Sequence, residues 1–585
     1  MKLKKFIENY FPRTDFDSFE KIKLSGKLVL PSVDDLKQLD AFKDLKFKDL
    51  NVVLSWPPNV FLILYSLLDY TDKYRLIVSP QKHFVWKSDD NEIVSLLSNE
   101  WLSLIEQQFE STNTNGNHSR FNLVSNLDTV FNKNNFNVCI YDLLNRQEFI
   151  TSVFHLLLSV DELFSDINIC DITIENKLHL LLFIRNLVYK TNHHLTDSDK
   201  KHGFVTFKAN VPQSGLTINN LTQNLACIKP SVMPQIIVNK QVKKSFDKKS
   251  YNILFLPWPL EIDPSSFVES KNNSHLEMNE YFGFFDYKPN KELKSQDFLN
   301  ALISAVKRVG TVDLIVLPEC SLSEKTFEKF QNILFECFGE NAPSLLAGIY
   351  SDNNNKAKNA AKLAFIGETK EFDSFEQQKH HRWFLDKNQL RNYNLSSTLD
   401  PGKKWWENIE VCRRRLLTLH TKDGVKLCPL ICEDLARQEP VAQAVRAVGP
   451  NLVVCLLLDG PQISERWPGK YAAVLSDDPG ASVLSVTPLG MTLNSTGLGH
   501  DPSRDVALWS EPNKGAESLR LGADGVGIVI ELKMVDEEMW TMDGRCKMKP
   551  VLRKTIHTTV KSEYDGSNTS SLSTRLKTIL KKGGV

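Results

Sequence analysis

An α/β domain in the carboxy-terminal half, preceded by a mainly α-helical amino-terminal region, is the architecture that the sequence predicts. Three observations predict it. Residues 1–240 carry apolar positions spaced three and four apart and are poor in glycine. A polar, charged passage, Asn239 to Lys249, then marks a change of character at Tyr251. From Tyr251 to about Leu532 short apolar runs alternate with helical periods, the rhythm of a domain whose sites gather at the carboxyl ends of its strands.

In the amino-terminal region, Ser152 to Phe164 repeats apolar residues at Val153, Leu156, Leu157, Val160 and Leu163, which predicts an amphipathic helix. Lys177 to Lys190 predicts another. The polar stretch 111–119 reads as a loop dividing this region into two lobes. It contains no catalytic constellation, and regulation or the binding of a protein partner is the expected role.

The α/β part, 250–535, opens on the strand Ile253 to Leu256. A helix from Ser295 to Arg308 leads to the strand Asp313 to Leu317. The helix Glu324 to Phe338 follows, then strands at Ser344 to Tyr350 and Leu363 to Ile366. Val425 to Ile431, Leu452 to Leu458, Ser482 to Val486 and Gly527 to Leu532 complete the set. The remainder, 545–585, has ten lysines or arginines against two acids and a Ser/Thr/Asn/Gly-rich middle at 567–573, so a basic flexible tail is expected, the one place suited to nucleic acid.

Composition narrows the function classes. The 71 basic residues balance 71 acidic ones, which removes any global argument for nucleic-acid or membrane binding. The longest apolar runs, Val60 to Tyr65 and Leu178 to Ile184, fall far short of the ~20 residues that cross a bilayer. The first ten residues have positive charges but no apolar stretch of a signal peptide. The ten cysteines are scattered, without the Cys-x-x-Cys spacing of a structural zinc site, as free thiols of a reducing compartment are. A cytoplasmic protein without a structural zinc site is the expectation.

Three strand-adjacent residue types carry chemistry. Glu319 follows an apolar run and Pro318; buried there, its carboxyl shifts upward toward the range of a general base, whereas on a surface it is an ordinary strand-end acid. Cys432 ends the run Val425 to Ile431, where a rigid backbone can present a thiol to a pocket. Such a thiol needs a base or a nearby positive charge to attack, and otherwise it is core filler, as Cys428 and Cys455 look to be. Lys387, in the segment Trp383 to Leu390, offers the positive charge, with Lys379 as the fallback. An ammonium ~4 Å from a developing oxyanion contributes roughly 4 kcal/mol at an effective dielectric near 20, and the Glu433 amide supplies a second donor. His380 and His381 are adjacent and should diverge, which argues against a shared metal. Together these residues predict cleavage of a carbon–nitrogen bond through a cysteine thioester.

The same three pieces resemble the motifs of the nitrilase, or carbon–nitrogen hydrolase, superfamily. Leu317-Pro318-Glu319 is similar to its glutamate motif, Lys387 with Leu390 to its lysine motif, and Gly424 to Asp434 to its cysteine motif. Asp400-Pro401-Gly402 and Trp467 with Tyr471 to Leu475 resemble a turn and a helix of that family. The resemblance implies a four-layer α-β-β-α sandwich, self-association through this domain, and a small-molecule amide or nitrile substrate, and it calls for no metal or organic cofactor. Glu319 would be the base, Cys432 the nucleophile, and Lys387 with the Glu433 amide the oxyanion holders. Many members carry a second glutamate soon after the lysine, but no acid lies between Lys387 and Asp400; Glu407 is the first glutamate and an auxiliary candidate.

That departure leaves a second reading, an inactive nitrilase-like scaffold or sensor. Nitrilase-like domains also occur in bacterial multidomain proteins, phage-defence reverse transcriptases among them, so antiviral defence enters by analogy. Leu475-Ser476-Asp477-Asp478 lacks the aromatic residue of a polymerase Tyr-x-Asp-Asp turn.

Overall fold

In a computed structural model of the chain, the described residues are 1–12, 14–25, 49–109, 121–167, 169–170, 176–189, 194–198, 202–229, 232–240, 250–270, 276–350, 358–411 and 415–562. They form two compact units. The first comprises Met1–Ser231, Arg446–Gly449 and Glu538–Lys549; the second comprises Val232–Val445, Pro450–Glu537 and Pro550–Val585. The expected lobe-dividing loop at 111–119 lies outside the described residues, as does the Ser567–Ser573 stretch.

The first unit is helical. Its elements are α1 (Leu3–Glu8), α2 (Leu50–Ser55), α3 (Pro57–Thr71), α4 (Ser88–Glu106), α5 (Phe121–Phe131), α6 (Ile140–Leu144), α7 (Gln147–Leu163) and α8 (Lys177–Tyr189), with a two-stranded antiparallel sheet of β1 (Phe204–Phe207) and β2 (Leu225–Ile228). The segment expected to be amphipathic is the centre of this unit. α7 touches α3, α4, α5 and α6, and it buries Ser152, His155, Ser159 and Asp161 as well as its apolar residues. A helix surrounded by others is buried nearly all round, so its polar positions need partners inside the protein. His155 Nε2 lies 2.7 Å from Asp90 Oδ1, and Asp161 accepts from the backbone N–H groups of Gln223, Asn224 and Leu225 at 2.7, 2.9 and 2.9 Å.

The second unit is built on two seven-stranded sheets. Its strands are β3 (Met233–Asn239), β4 (Ser250–Phe255), β5 (Phe267–Glu269), β6 (Phe282–Tyr287), β7 (Leu314–Ser323), β8 (Ser344–Tyr350), β9 (Asn359–Ile366), β10 (Phe372–Gln378), β11 (Phe384–Leu385), β12 (Lys404–Glu407), β13 (Arg415–Thr421), β14 (Lys426–Ile431), β15 (Leu452–Leu456), β16 (Ser482–Val486), β17 (Asp505–Glu511), β18 (Gly515–Arg520), β19 (Gly525–Trp540) and β20 (Cys546–Lys561). One sheet runs β10-β9-β8-β7-β4-β19-β20 and the other β18-β17-β16-β15-β14-β13-β3. A small third sheet, β11-β12-β6-β5, stands beside them. The two large sheets touch face to face through β7 with β15, β9 with β14 and β10 with β13.

Helices cover the outer faces. α9 (Ser295–Val309) and α10 (Glu324–Phe338) pack on β4, β7 and β8, while α12 (Trp467–Asp477) packs on β16, β17 and β18. The shorter α11 (Lys387–Asn392) and α13 (Leu489–Asn494) lie in connections. The order is therefore α-β-β-α. Being covered on both faces, the central strands lose the alternation of a half-exposed strand: all ten residues of β7 and all five of β15 are buried.

Three boundaries differ from expectation. The division between units falls at Ser231 rather than near 240, because β3 pairs in parallel with β13. The strand expected at Gly527–Leu532 extends to Trp540. The first part of the expected basic tail is β20, a 16-residue strand hydrogen-bonded beside β19. Lys547, Arg553 and Lys554 of β20 are half-buried on a strand at the end of its sheet, so a basic composition there records edge position rather than flexibility.

Candidate active site

A kink inside β7 and another just past the end of β14 each carry a candidate residue. In β7 the pairing with β8 shifts register between Leu317 and Leu322, and Cys320, next to Glu319, has φ of +51°. β8 permits this kink through Gly348, where a Cβ would stand 2.4 Å from the Glu319 Cα and 2.4 Å from the Pro318 carbonyl oxygen. Cys432 follows the last residue of β14 and has φ of +46°, in the left-handed region that non-glycine residues rarely adopt. It opens a short turn, Cys432–Leu435. The Glu433 N–H therefore falls among the first-turn donors that have no acceptor within the turn.

The positive charge beside Glu319 is Lys379. This residue follows β10, and its ammonium is fully buried, 2.7 Å from Glu319 Oε1 and 2.6 Å from Glu407 Oε2. Asn359, the first residue of β9, bridges the same two carboxylates through its Nδ2, at 2.7 Å from Glu319 Oε1 and 2.6 Å from Glu407 Oε1. Glu407, at the end of β12, also accepts from the Trp383 backbone N–H at 2.9 Å. Burial by itself would lower the Lys379 pKa, but Glu319 and Glu407 outweigh it and hold the group well above its usual range, as an ammonium.

Burial raises the Glu319 carboxyl above its ordinary value, Lys379 opposing this and Glu407 adding to it. Its Oε2 is buried and has no hydrogen-bond partner among the described residues. Cys432 is 2% exposed, and burial followed by the Glu319 charge pushes its thiol well above the normal range. The resting pair is then a neutral thiol near a carboxylate with an unused oxygen, the arrangement that general-base activation requires.

Lys387 is separate from this cluster. It is exposed at the first position of α11, where Asp386 accepts from the Gln389 N–H at 2.9 Å and the Gln389 side chain accepts from the Asp386 N–H at 3.0 Å. This reciprocal cap starts a helix and turns its first residue outward. Lys387, expected to supply the site's charge, is thus outside the buried cluster, and the fallback Lys379 lies within it. Asp386-x-x-Gln389 was the sequence signal for a helix start; Asn359, an amide opening a buried strand, had no comparable signal.

His380 and His381 also behave differently from expectation. Their rings converge on Asp434, with His380 Nδ1 3.0 Å from Oδ2 and His381 Nδ1 2.9 Å from Oδ1, while the His380 backbone N–H reaches both oxygens at 3.1 Å. Burial tends to raise the Asp434 pKa, but the bonds to His380 and His381 prevail and hold it below the usual range. Asp434 thus ties the turn that begins with Cys432 to the segment that carries Lys379. Among the described residues no cluster of three or more His, Cys, Asp or Glu could hold a metal ion, and no helix is long and apolar enough to cross a membrane.

No family model matches the chain, and no curated protein matches it in sequence. Among solved structures it is similar to a Saccharomyces cerevisiae member of branch 10 of the nitrilase superfamily, with 15% identity, 50% of this chain and 93% of that one covered, and a TM-score of 0.29. It is similar to an amidase from Nesterenkonia sp., with 12% identity, 57% and 99% covered, and a TM-score of 0.27. A third similarity is to the NitFhit protein of C. elegans, with 12% identity, 49% and 61% covered, and a TM-score of 0.31.

Proposed function

We propose that the second unit hydrolyses a non-peptide carbon–nitrogen bond of a small amide or nitrile through a thioester on Cys432, as members of the nitrilase superfamily do. The observation that carries this reading is the fully buried Lys379 ammonium between Glu319 and Glu407, in the unit where Cys432 sits at a strained strand end. Buried charges are costly unless they are used or matched, and here two carboxylates and one ammonium leave an excess negative charge beside a thiol.

For an amide, Glu319 takes the thiol proton through its unpartnered Oε2 as sulfur bonds to the carbonyl carbon. The oxygen becomes an anion, held by the Lys379 ammonium and the Glu433 N–H. Collapse breaks the carbon–nitrogen bond, and Glu319 returns its proton to the leaving amine. Water then gives a proton to Glu319 and attacks the thioester; the acid departs and the thiol recovers its proton. Glu407 fixes the lysine and the Trp383 backbone, and so borders the volume in which that water must act. The scaffold alternative drew on the missing second glutamate; Glu407, beside Lys379, is the candidate for that role in this reading.

The test is intact-mass analysis after incubation with a panel of small amides and nitriles and with a thiol-directed probe. The expected result is an acyl adduct on wild type that disappears with Cys432→Ala, together with release of ammonia or an amine. Acylation that survives Cys432→Ala would place the nucleophile elsewhere, and a probe-reactive Cys432 with no turnover of any compound would favour the scaffold.

A further inference from the structure

Beside the Glu–Lys–Glu cluster lies a second buried polar group that the mechanism above does not use. Asp459 stands three residues beyond Leu456, the last residue of β15; Leu456 pairs with Ile431, the residue before Cys432. The two side chains therefore leave neighbouring parallel strands at the same end. Asp459 is 3% exposed. Its Oδ1 accepts from the Tyr393 hydroxyl and from Arg466 Nη2, the latter at 2.9 Å, and its backbone is fixed by a two-way exchange with the Thr487 hydroxyl. Tyr393 in turn meets Trp383 edge-on, with ring centroids 5.7 Å apart, and Trp383 is the residue whose N–H binds Glu407. The Asp459 group and the Lys379 cluster are thus linked through Trp383.

Only one oxygen of Asp459 is engaged. Oδ2 is buried without any hydrogen-bond partner among the described residues, although two donors converge on its twin. A buried carboxylate oxygen left unpaired is costly, and a site that holds one rigidly is built for a donor brought by a ligand. Charge decides which kind of donor. Arg466 neutralises Asp459, while Glu319 and Glu407 exceed Lys379 by one negative charge. The Asp459 charge also reaches the Cys432 thiol, adding a smaller upward push to that of burial, Glu319 and Glu433, against the opposing Lys379 ammonium.

We propose that Asp459 Oδ2 is the substrate-selecting contact of this site, and that it takes amides or nitriles bearing a cationic, hydrogen-bond-donating group such as an ammonium, amidinium or guanidinium close to the reacting carbon. Tyr393 and Arg466 position the carboxylate and leave its second oxygen for the ligand. Anionic substrates meet the excess negative charge and are rejected. This inference rests on Cys432 being the reacting centre, so its test must be separable from turnover.

Cationic 2-aminoethyl, neutral methyl and anionic 2-sulfonatoethyl methanethiosulfonates meet that need. Each transfers its sulfenyl group to a thiol, forming a mixed disulfide and releasing methanesulfinate, without hydrolysis of an amide. Rates at Cys432 are read by peptide mass, each divided by the reagent's rate with a free thiol. In wild type the cationic reagent should outpace the anionic one by about tenfold or more, as one nearby unscreened charge implies. Asp459→Asn, a near-isosteric change, should shrink that ratio several-fold. A wild-type ratio near one overturns the proposal whether or not the variant folds, as does a ratio that Asp459→Asn leaves unchanged. The same proteins are then given propanamide and 3-aminopropanamide, whose ammonium lies two methylenes from the carbonyl carbon. Hydrolysis of both at equal efficiency would sink the selectivity and keep the hydrolase; Asp459-dependent labelling without any hydrolysis would do the reverse.

Discussion

Taking away the Lys379 ammonium would leave Glu319 and Glu407 facing each other in a buried volume with only Asn359 between them. Removal of one partner from a buried charge pair costs about 3 to 5 kcal/mol, so Lys379→Met should lower the urea midpoint by a corresponding amount. Under the proposed mechanism the same change removes an oxyanion donor, and hydrolysis should fall by about 10²- to 10³-fold. Lys387→Met, on an exposed first turn of α11, should alter neither quantity. Loss of activity with Lys387→Met and its retention with Lys379→Met would reverse the assignment. Glu407→Gln keeps the shape and a hydrogen-bonding oxygen but removes a charge from the lysine; turnover should drop while Cys432 still reacts with a neutral thiol probe.

At the scale of elements, the site depends on the kink inside β7, the kink just past β14 and the contacts that hold them. Gly348→Ala drives a methyl into the β7 backbone at Glu319, where 2.4 Å leaves no room and no flexible side chain can yield. Destabilisation of about 1 to 3 kcal/mol is expected, with Glu319 displaced and activity lost in proportion greater than the fall in folded protein. A variant that folds and reacts as wild type would show that the close approach of β8 to β7 is dispensable. The tie between the cysteine turn and the lysine segment is pH-dependent. Because the Asp434 carboxyl is held below its unfolded value, its contribution is complete above pH ~4 and is lost as pH falls through the native pKa. Wild-type stability should therefore decline on the acid side of about pH 4. Asp434→Asn should be less stable near neutrality and should show a shallower acid decline; an identical acid slope in both proteins would mean the tie contributes nothing.

For the whole molecule, the chain order of the two units matters. The first unit includes Glu538–Lys549 between the long strands β19 and β20, and Arg545 there reaches Asp161 Oδ2 at 3.1 Å, Glu162 Oε2 at 3.1 Å and Asp543 Oδ2 at 2.5 Å. Asp161 is 0% exposed, on the central helix α7. Cutting the chain near 240 would remove this arginine from its buried partner. A fragment of residues 1–240 should accordingly be poorly soluble or molten by near-ultraviolet circular dichroism, and Arg545→Ala in the full chain should cost about 3 to 5 kcal/mol. A cooperative, monodisperse 1–240 fragment would show that the first unit is complete without the hairpin segment.

The central strands of the second unit were readable in the sequence because a strand buried on both faces is simply an apolar run: Leu314 to Leu317, Ser344 to Tyr350 and Leu452 to Leu456 announce themselves without any partner in view. Glu319 and Cys432 were legible as candidates for the same reason, since a carboxylate or a thiol interrupts such a run. β20 was not, because a sheet edge tolerates basic side chains and then resembles a linker. The positive charge was the part that sequence could not place: Lys379 and Lys387 lie eight positions apart in one stretch, and both are lysines near aromatic and apolar neighbours. Chain order alone determined that an acid, a base-like cation and a thiol exist on an α/β scaffold. Only folding decided which lysine enters the interior, through the pairing of β10 with β9 and the Asp434 contacts that set Lys379 between two carboxylates contributed by strands far apart in the chain. Burial beside opposite charge is a property of long-range packing, and no local pattern of residues encodes it.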